Sequence, residues 1–431
     1  MSLEITLVIL MGGLLILLLL GMEIAFAFGI VGSIGLLLFL AQPQLQMAWT
    51  VWSTLNVPAL TAAPLFIFMG TILANSGIIQ NLFDSANKWL GGFPGGLASS
   101  VIGACALFGA MSGSNVAAVA IFGRTAYPEM ERTGYDPKLS LGSIAMGGTL
   151  AVLIPPSLIM IIYGAWEQVS VVRLFAAGII PGIILALLLM LTVMVRVKLN
   201  PRLAPRPTSY SWREKFTALR QLLPWIALII IVLGVIFGGI MTATEAASLG
   251  VVLSVILALG YRKMSYKILK SSFLDATKVT AMVMIIVAMA KVLAFVLQRM
   301  GIAESVSIYI IDLPFGTYGT LIAIYIMYII LGCFFDSISM MVLTLPFIMP
   351  AIIHLGFSPI WFGVIYVVIA EIGMVTPPFG LNLFVLQGVV PKHSILIIAY
   401  GCLPFLVAPL VVVALVTAYP QLALWIPGLL F

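Results

Sequence analysis

Charge is what this chain is poorest in. Asp, Glu, Lys and Arg together make up 8% of its 431 residues, and hydrophobic residues 63%, against about 25% charged in a soluble domain. So little charge excludes a water-exposed globule and leaves a polytopic membrane protein. Histidine is almost missing, at 2 residues. His354 and His393 stand in loops without a nucleophile or a second ligand, which argues against a hydrolase, a metal centre or an intramembrane enzyme. The 3 cysteines, Cys105, Cys333 and Cys402, show neither a metal spacing nor a disulfide framework and read as small core residues. A basic leader is missing too. Glu4 stands where a cleavable signal peptide carries positive charge, and a second apolar segment follows at once, so the first helix is expected to stay.

What is present is a series of apolar runs. Ile5 to Leu20, Ile226 to Ile240 and Ile395 to Ala418 are uncharged and approach the ~20 residues needed to cross a bilayer. A net charge of +6 does not point to nucleic acid, because the basic residues fall in loops, where they set orientation. Arg196, Lys198, Arg202, Arg206, Arg213, Lys215 and Arg220 crowd one loop; Arg262, Lys263, Lys267 and Lys270 crowd another. Pro224 to Gly260 between them suffices for two crossings with a turn near Gly238 to Glu245. Both loops therefore share one face, taken as cytoplasmic.

Parity threads the rest. Helices are expected near 4–21 and 24–40, an interfacial segment with Trp49 and Trp52 from Gln42 to Pro58, and a helix near 61–79. Leu97 to Phe122 is interrupted by Met111-Ser112-Gly113-Ser114-Asn115. Its arms of about a dozen residues, roughly 18 Å each, are too short to span, so a re-entrant hairpin is expected. On this threading only Arg173 and Arg299 fall outside, while Lys291 lies in the membrane and snorkels outward. The fold class is all-α and polytopic, with inverted repeats, about 10 transmembrane helices and two re-entrant hairpins. Residues 1–60 form N-terminal helices and an interfacial arm belonging to a scaffold. Residues 61–195 form a first repeat with a hairpin at 97–123 and a broken helix at 139–164. Residues 196–276 hold the basic loops and scaffold helices. Residues 277–431 form a second repeat with a hairpin at 319–348, a broken helix at 360–388 and a terminal helix.

The repeat is visible residue by residue. Pro128, Gly134, Pro137, Pro155 and Pro156 recur in one register as Pro350, Gly356, Pro359, Pro377 and Pro378, with Tyr135 answered by Phe357. One residue out of that register, Gly109 and Ser114 answer to Gly332 and Ser337. Paired segments with broken helices are the pattern of a secondary transporter. Mid-helix prolines leave carbonyls without helical partners, tolerated in a membrane only where buried in protein or lining a wet cavity. A monovalent cation supplies a partner. Ser112, Ser114 and Asn115 at the first tip, with carbonyls from Gly148 to Ile154 and Thr149, suit Na⁺ without a fixed carboxylate. Ser337 and Ser339 against Gly373 to Thr376 repeat the arrangement, giving two sites. Half-helix N-termini between the tips favour an anionic substrate group. Asn115, Asn382 and Thr376 offer polar contacts to it, Pro155 marks the break beside it, and Arg124 is the nearby basic residue. Glu371 and Asp336 suit either a cation or proton site or a structural hydrogen bond.

Taken in order, GAMSGSNVAAVA, the TGYDP loop, LIPPS, FFDSISMMVLTLPFIMPAI with LGFSP, and GMVTPPFGLNLFVLQG resemble the large membrane subunit of the tripartite ATP-independent periplasmic (TRAP) transporters, the DctM-like family. The likeness spans nearly the whole chain. It implies an elevator-type, Na⁺-driven importer of organic anions such as C4-dicarboxylates, sialic acid or other sugar acids, in the bacterial inner membrane. The implied partners are a small four-helix membrane subunit and a periplasmic substrate-binding protein. The family's ion sites fall on the tips and breaks, hence on Ser112, Ser114, Asn115 and Gly148, and on Ser337, Ser339, Gly373 and Thr376. Gly21-Met22-Glu23 departs from the family, which carries Pro at the third position, in the turn between the first helices. Because the chain opens on the large-subunit pattern, the small subunit is expected as a separate polypeptide. A stand-alone Na⁺/dicarboxylate or citrate carrier would share the architecture without a binding protein. A channel or membrane scaffold would leave the repeated breaks without a purpose.

Overall fold

The protein is described by a computed structural model covering residues 3–39 and 43–431; the Gln42 start of the interfacial segment lies outside the described residues. All regular structure there is helical. Helices α1 (Leu3–Leu19), α2 (Ile24–Phe39), α3 (Pro43–Leu55), α4 (Ala62–Asn75) and α5 (Ile79–Leu90) lead to a helical hairpin, α6 (Gly96–Ser112) and α7 (Asn115–Thr125). A short α8 (Tyr127–Arg132) precedes one interrupted helix, α9 (Pro137–Thr149) and α10 (Leu158–Glu167), and then α11 (Val171–Leu199). Next come α12 (Trp212–Phe237), α13 (Ala243–Gly260), α14 (Tyr266–Arg299) and α15 (Ile302–Ile311). A second hairpin, α16 (Gly316–Gly332) and α17 (Ser337–His354), precedes a second interrupted helix, α18 (Pro359–Met374) and α19 (Leu381–Val389). The chain closes through α20 (Ile395–Cys402), α21 (Val407–Ala418) and α22 (Gln421–Leu430).

Among the described residues, 6 helices are long and apolar enough to cross a membrane alone, or 7 if the bent pair built on α20 and α21 is one span. The remaining apolar helices are shorter, 10–17 residues each. Ile230, Ile231, Val252 and Ile256 on α12 and α13 are exposed, as lipid-facing positions must be. Helix ends show which elements run opposite ways. Asn75 at the end of α4 donates to Asp275 (3.0 Å) and Ser272 (3.2 Å) near the start of α14, while Thr61 meets Thr244, at the start of α13 (3.1 Å).

The two interrupted helices start by the same local device. Gly134 and Gly356 both take φ +85, a conformation that favours glycine. Asp136 and Ser358 then cap α9 and α18, each ahead of a proline in the first turn. Both breaks carry a cis peptide, Pro155-Pro156 and Pro377-Pro378.

Several elements differ from the sequence reading. Helix α5 was not expected: it buries Ile79, Leu82, Phe83 and Ala86 and turns Gln80, Asp84 and Lys88 away, so its average apolarity is low and only its periodicity marks it. Helices α15 and α22 were likewise unexpected. Much of the basic clusters is helical rather than loop. Arg213, Lys215 and Arg220 ride on the first turns of α12, and Lys267, Lys270 and Lys278 on α14. A helix satisfies its own backbone groups and can continue through the interface into water. The first arm of the first hairpin, α6, is 17 residues, about 25 Å rather than the roughly 18 Å expected.

Candidate functional site

Each hairpin tip is clamped to its own repeat's broken helix by contacts that leave no room for a side chain. A Cβ added to Gly109 on α6 would lie 2.8 Å from the Ala151 Cβ, and one on Gly373 of α18 2.7 Å from the Gly332 carbonyl carbon. These two contacts are equivalent in the repeat. Gly113 ends α6 at φ +60 and faces the proline break: a Cβ there would meet the Pro156 oxygen at 2.9 Å and the Leu158 nitrogen at 3.1 Å.

The tips also correct the repeat's register. Ser114 caps α7 and accepts from the Ala117 N–H (3.3 Å). Asp336 caps α17 and accepts from Ile338 and Ser339 (3.0 and 3.1 Å). The caps are equivalent, so Ser114 answers to Asp336 rather than to Ser337, and Asn115 answers to Ser337. Asp336 therefore performs a capping role.

Glu371 joins the two repeats. Its carboxylate is buried. It accepts from the Asn115 amide, whose Nδ2 lies 2.9 Å from both oxygens, and from the Ser337 hydroxyl at 3.3 Å. Asn382, in the first turn of α19, is fully buried and faces the same carboxylate without reaching hydrogen-bond geometry. Residues from both tips and from the second break thus converge on one acid. The sequence reading had cation sites without a fixed carboxylate. A buried carboxylate stays tolerable here because donors from two elements meet it.

The cation-site residues fall as follows. Ser112 is buried, and its Oγ receives only a long contact from the Ser114 N–H (3.5 Å). Gly148 lets α9 approach α7 closely: a Cβ on it would sit 3.4 Å from the Asn115 carbonyl oxygen. Ser337 is committed to Glu371, while Ser339 is buried with no partner for its Oγ. Thr149 and Thr376 donate to Met146 and Ile372 (2.6 Å each), leaving hydroxyl lone pairs free. Among the described residues no group of three His, Cys, Asp or Glu side chains comes together; hydroxyl and carbonyl oxygens fit a hard monovalent cation. Arg124 does not join this centre. It is exposed at the far end of α7, about 13 Å along the helix from Asn115. Pro155 is buried in its break.

Around the centre the halves brace each other. Tyr366 donates to the Ser337 carbonyl and stacks edge-on with Tyr328 at 5.1 Å, whose hydroxyl meets Thr344 at 2.8 Å. Tyr163, midway along α10, donates to the carbonyl of Pro359 (2.6 Å) at the start of α18. At the opposite pole Tyr127, below the first hairpin, bonds His393, and Lys392 pairs with Glu131 at 2.7 Å, holding that carboxyl below its usual range. This pair is exposed, and exposed ion pairs contribute little. Lys392→Gln is expected to leave the melting temperature within about 2 °C, checked by thermal unfolding in detergent.

Two helical hairpins, each followed by an interrupted helix, are the elements of a membrane transporter fold. A solved structure of the Alcanivorax borkumensis YdaH transporter shares it, with a TM-score of 0.60 over 89% of this chain and 87% of that one, at 13% identity. The chain belongs to the family described as the Tripartite ATP-independent periplasmic transporter, DctM component, whose model matches residues 11–422. It is similar to the C4-dicarboxylate TRAP transporter large permease of Pseudomonas aeruginosa, 36% identical over 403 residues and 93% of each chain. It is also similar to the ectoine TRAP transporter large permease of Halomonas elongata, 32% identical over 380 residues, covering 86% of this chain and 87% of that one.

Proposed function

We propose that this chain is the large membrane subunit of a Na⁺-coupled secondary transporter. It imports a carboxylate-bearing solute across the bacterial inner membrane with a small four-helix membrane subunit and a periplasmic substrate-binding protein. The hairpins and interrupted helices move as one elevator-like unit, and the remaining helices, with the small subunit, form its scaffold. About ten crossings, counting short helices in pairs, complete this topology.

The observation that carries the reading is the convergence on Glu371 of Asn115 and Ser337 from opposite tips. Occupancy of one tip is then felt at the other through a shared acceptor, which is what coupling two solutes requires. Ser112 with the Gly148 region, and Ser339 with the Gly373 to Thr376 region, offer oxygens for two Na⁺ ions. The oxygen atoms at the tips and breaks favour those cations, and the half-helix N-termini beyond them favour the solute's carboxylate. Relatives named for C4-dicarboxylates and for ectoine have a carboxylate in common, which supports the solute class.

Ser112 and Ser339 are the informative positions, because Ser114 is occupied in capping α7 and Ser337 in holding Glu371. Ser112→Ala and Ser339→Ala are each expected to raise the Na⁺ concentration for half-maximal uptake about tenfold, the loss of one ligand worth about 1.4 kcal/mol. Uptake is measured in proteoliposomes with the binding protein present. Unchanged Na⁺ dependence in both variants would refute cation binding at the tips. Full uptake without the binding protein would favour a stand-alone carrier.

A further inference from the structure

Away from the tips lies a cavity of about 920 Å³ walled by α3, α10, α14 and α17. It opens at the C-terminal end of α14, about 50 Å along that helix from the basic cluster around Lys267, hence on the outer face. Trp166 and Glu167 from the end of α10, Lys291 and Arg299 from α14, His354 from α17 and Thr50 from α3 are among its lining. Elements of the proposed mobile unit, α10 and α17, face scaffold elements α3 and α14 across it.

Its cations are held, yet not neutralised. Lys291 Nζ sits 4.0 Å above the Trp166 ring centre, and the Arg299 guanidinium 5.4 Å from that of Phe295. Cation–π seats orient a cation and leave its charge available. Among the described residues the ion pairs are Arg132 with Glu129 and Lys392 with Glu131, so neither cavity cation has a carboxylate at pairing distance. Glu167 is the one acid in the lining, near enough to Lys291 to interact with it through space but not paired with it, and it faces two basic side chains. Lys291 and Arg299 lie eight positions apart on α14, a rise of about 12 Å over roughly two turns, so both face the same chamber. The remaining wall mixes hydroxyl and amide side chains, such as Thr50, Ser53 and Gln298, with apolar ones, such as Trp49, Phe295 and Met349, so it can both hydrogen-bond a polar solute and cover its carbon body.

We propose that this cavity is an anion-receiving vestibule, in which Lys291 and Arg299 meet the carboxylate of the arriving solute before it reaches the tips. The identity of that anion as the transported solute rests on the function proposed above. The electrostatic claim does not.

Ser53 lines the cavity and is exposed, while the native cysteines are buried, so Ser53→Cys supplies a single accessible thiol. The full chain is reconstituted in liposomes. The thiol is reacted from outside with anionic sulfonatoethyl and cationic trimethylammonioethyl methanethiosulfonate, each rate being divided by that on a free thiol. The anionic reagent is expected to react about tenfold faster, a modest value for a charged cleft. That preference should fall toward one on Lys291→Gln, persist on Lys291→Arg, and weaken between about 0.02 M and about 0.5 M salt as screening shortens. A corrected ratio at or below one, or a ratio indifferent to both Lys291→Gln and salt, overturns the proposal.

With binding protein present, Lys291→Gln is also expected to raise the KM for uptake about tenfold, with the maximal rate within about twofold of the parent. An anion preference on labelling without uptake of any organic anion would instead count against the function proposed above. Unchanged KM beside an intact labelling preference would overturn the vestibule's role in uptake.

Discussion

Glu371→Ala is expected to reduce Na⁺-driven uptake about a hundredfold. The substitution leaves the Asn115 amide and the Ser337 hydroxyl buried without their acceptor, at about 1–3 kcal/mol each. A hundredfold loss corresponds to about 2.7 kcal/mol, within that range. Glu371→Gln keeps the size and one acceptor oxygen, but turns an N–H toward the Asn115 N–H, and an intermediate loss of about tenfold is expected. Initial uptake rates in proteoliposomes, normalised to monodisperse protein, distinguish the variants. Parent rates in Glu371→Ala would show that the seam between the tips has no part in transport.

Gly109→Val is expected to be the most damaging substitution to the fold. Its side chain would enter the space of the Ala151 main chain, where relief requires two backbones to separate. Overpacking a core costs about 1–3 kcal/mol even where side chains can shift, and here backbone must move. The variant should lose uptake and melt several degrees lower. The equivalent change at Gly373, packed on Gly332, should behave alike. Gly388→Ala on α19 meets nothing within 4 Å and serves as the control, expected to match the parent in both assays. Parent-like melting and uptake in Gly109→Val would mean that the tip does not dock on its break as described.

Much of the site was legible because its signals are local. The proline pairs, the glycines at 134 and 356 and the small-residue tips each impose a backbone conformation on their immediate neighbours, so the sequence carries them openly. The residue-level register of the tips was not legible. Ser114 and Ser337 look alike as letters, but capping is decided by which side chain reaches the next turn's N–H groups, and there Asp336 substitutes for serine. Glu371 could be singled out as an intramembrane acid, but its link to Asn115 spans more than half the chain and appears only on folding. Helix α5 was hidden by its polar face, and the outer cavity by the separation in sequence of α3, α10, α14 and α17. Arg124 was drawn toward the site by its closeness in sequence to the tip, whereas the length of α7 carries it away.

The central claim is that inward Na⁺ movement drives uptake of an organic acid anion through this chain. It is tested most directly by accumulation in proteoliposomes holding this subunit, the small subunit and the loaded binding protein, with the membrane potential clamped and only the Na⁺ gradient varied. A panel of C4-dicarboxylates and sugar acids serves as solute. At least one solute should accumulate above its external concentration under an inward Na⁺ gradient and fail to do so when Na⁺ is equal on both sides. Equal accumulation of that solute with and without the gradient would contradict the account.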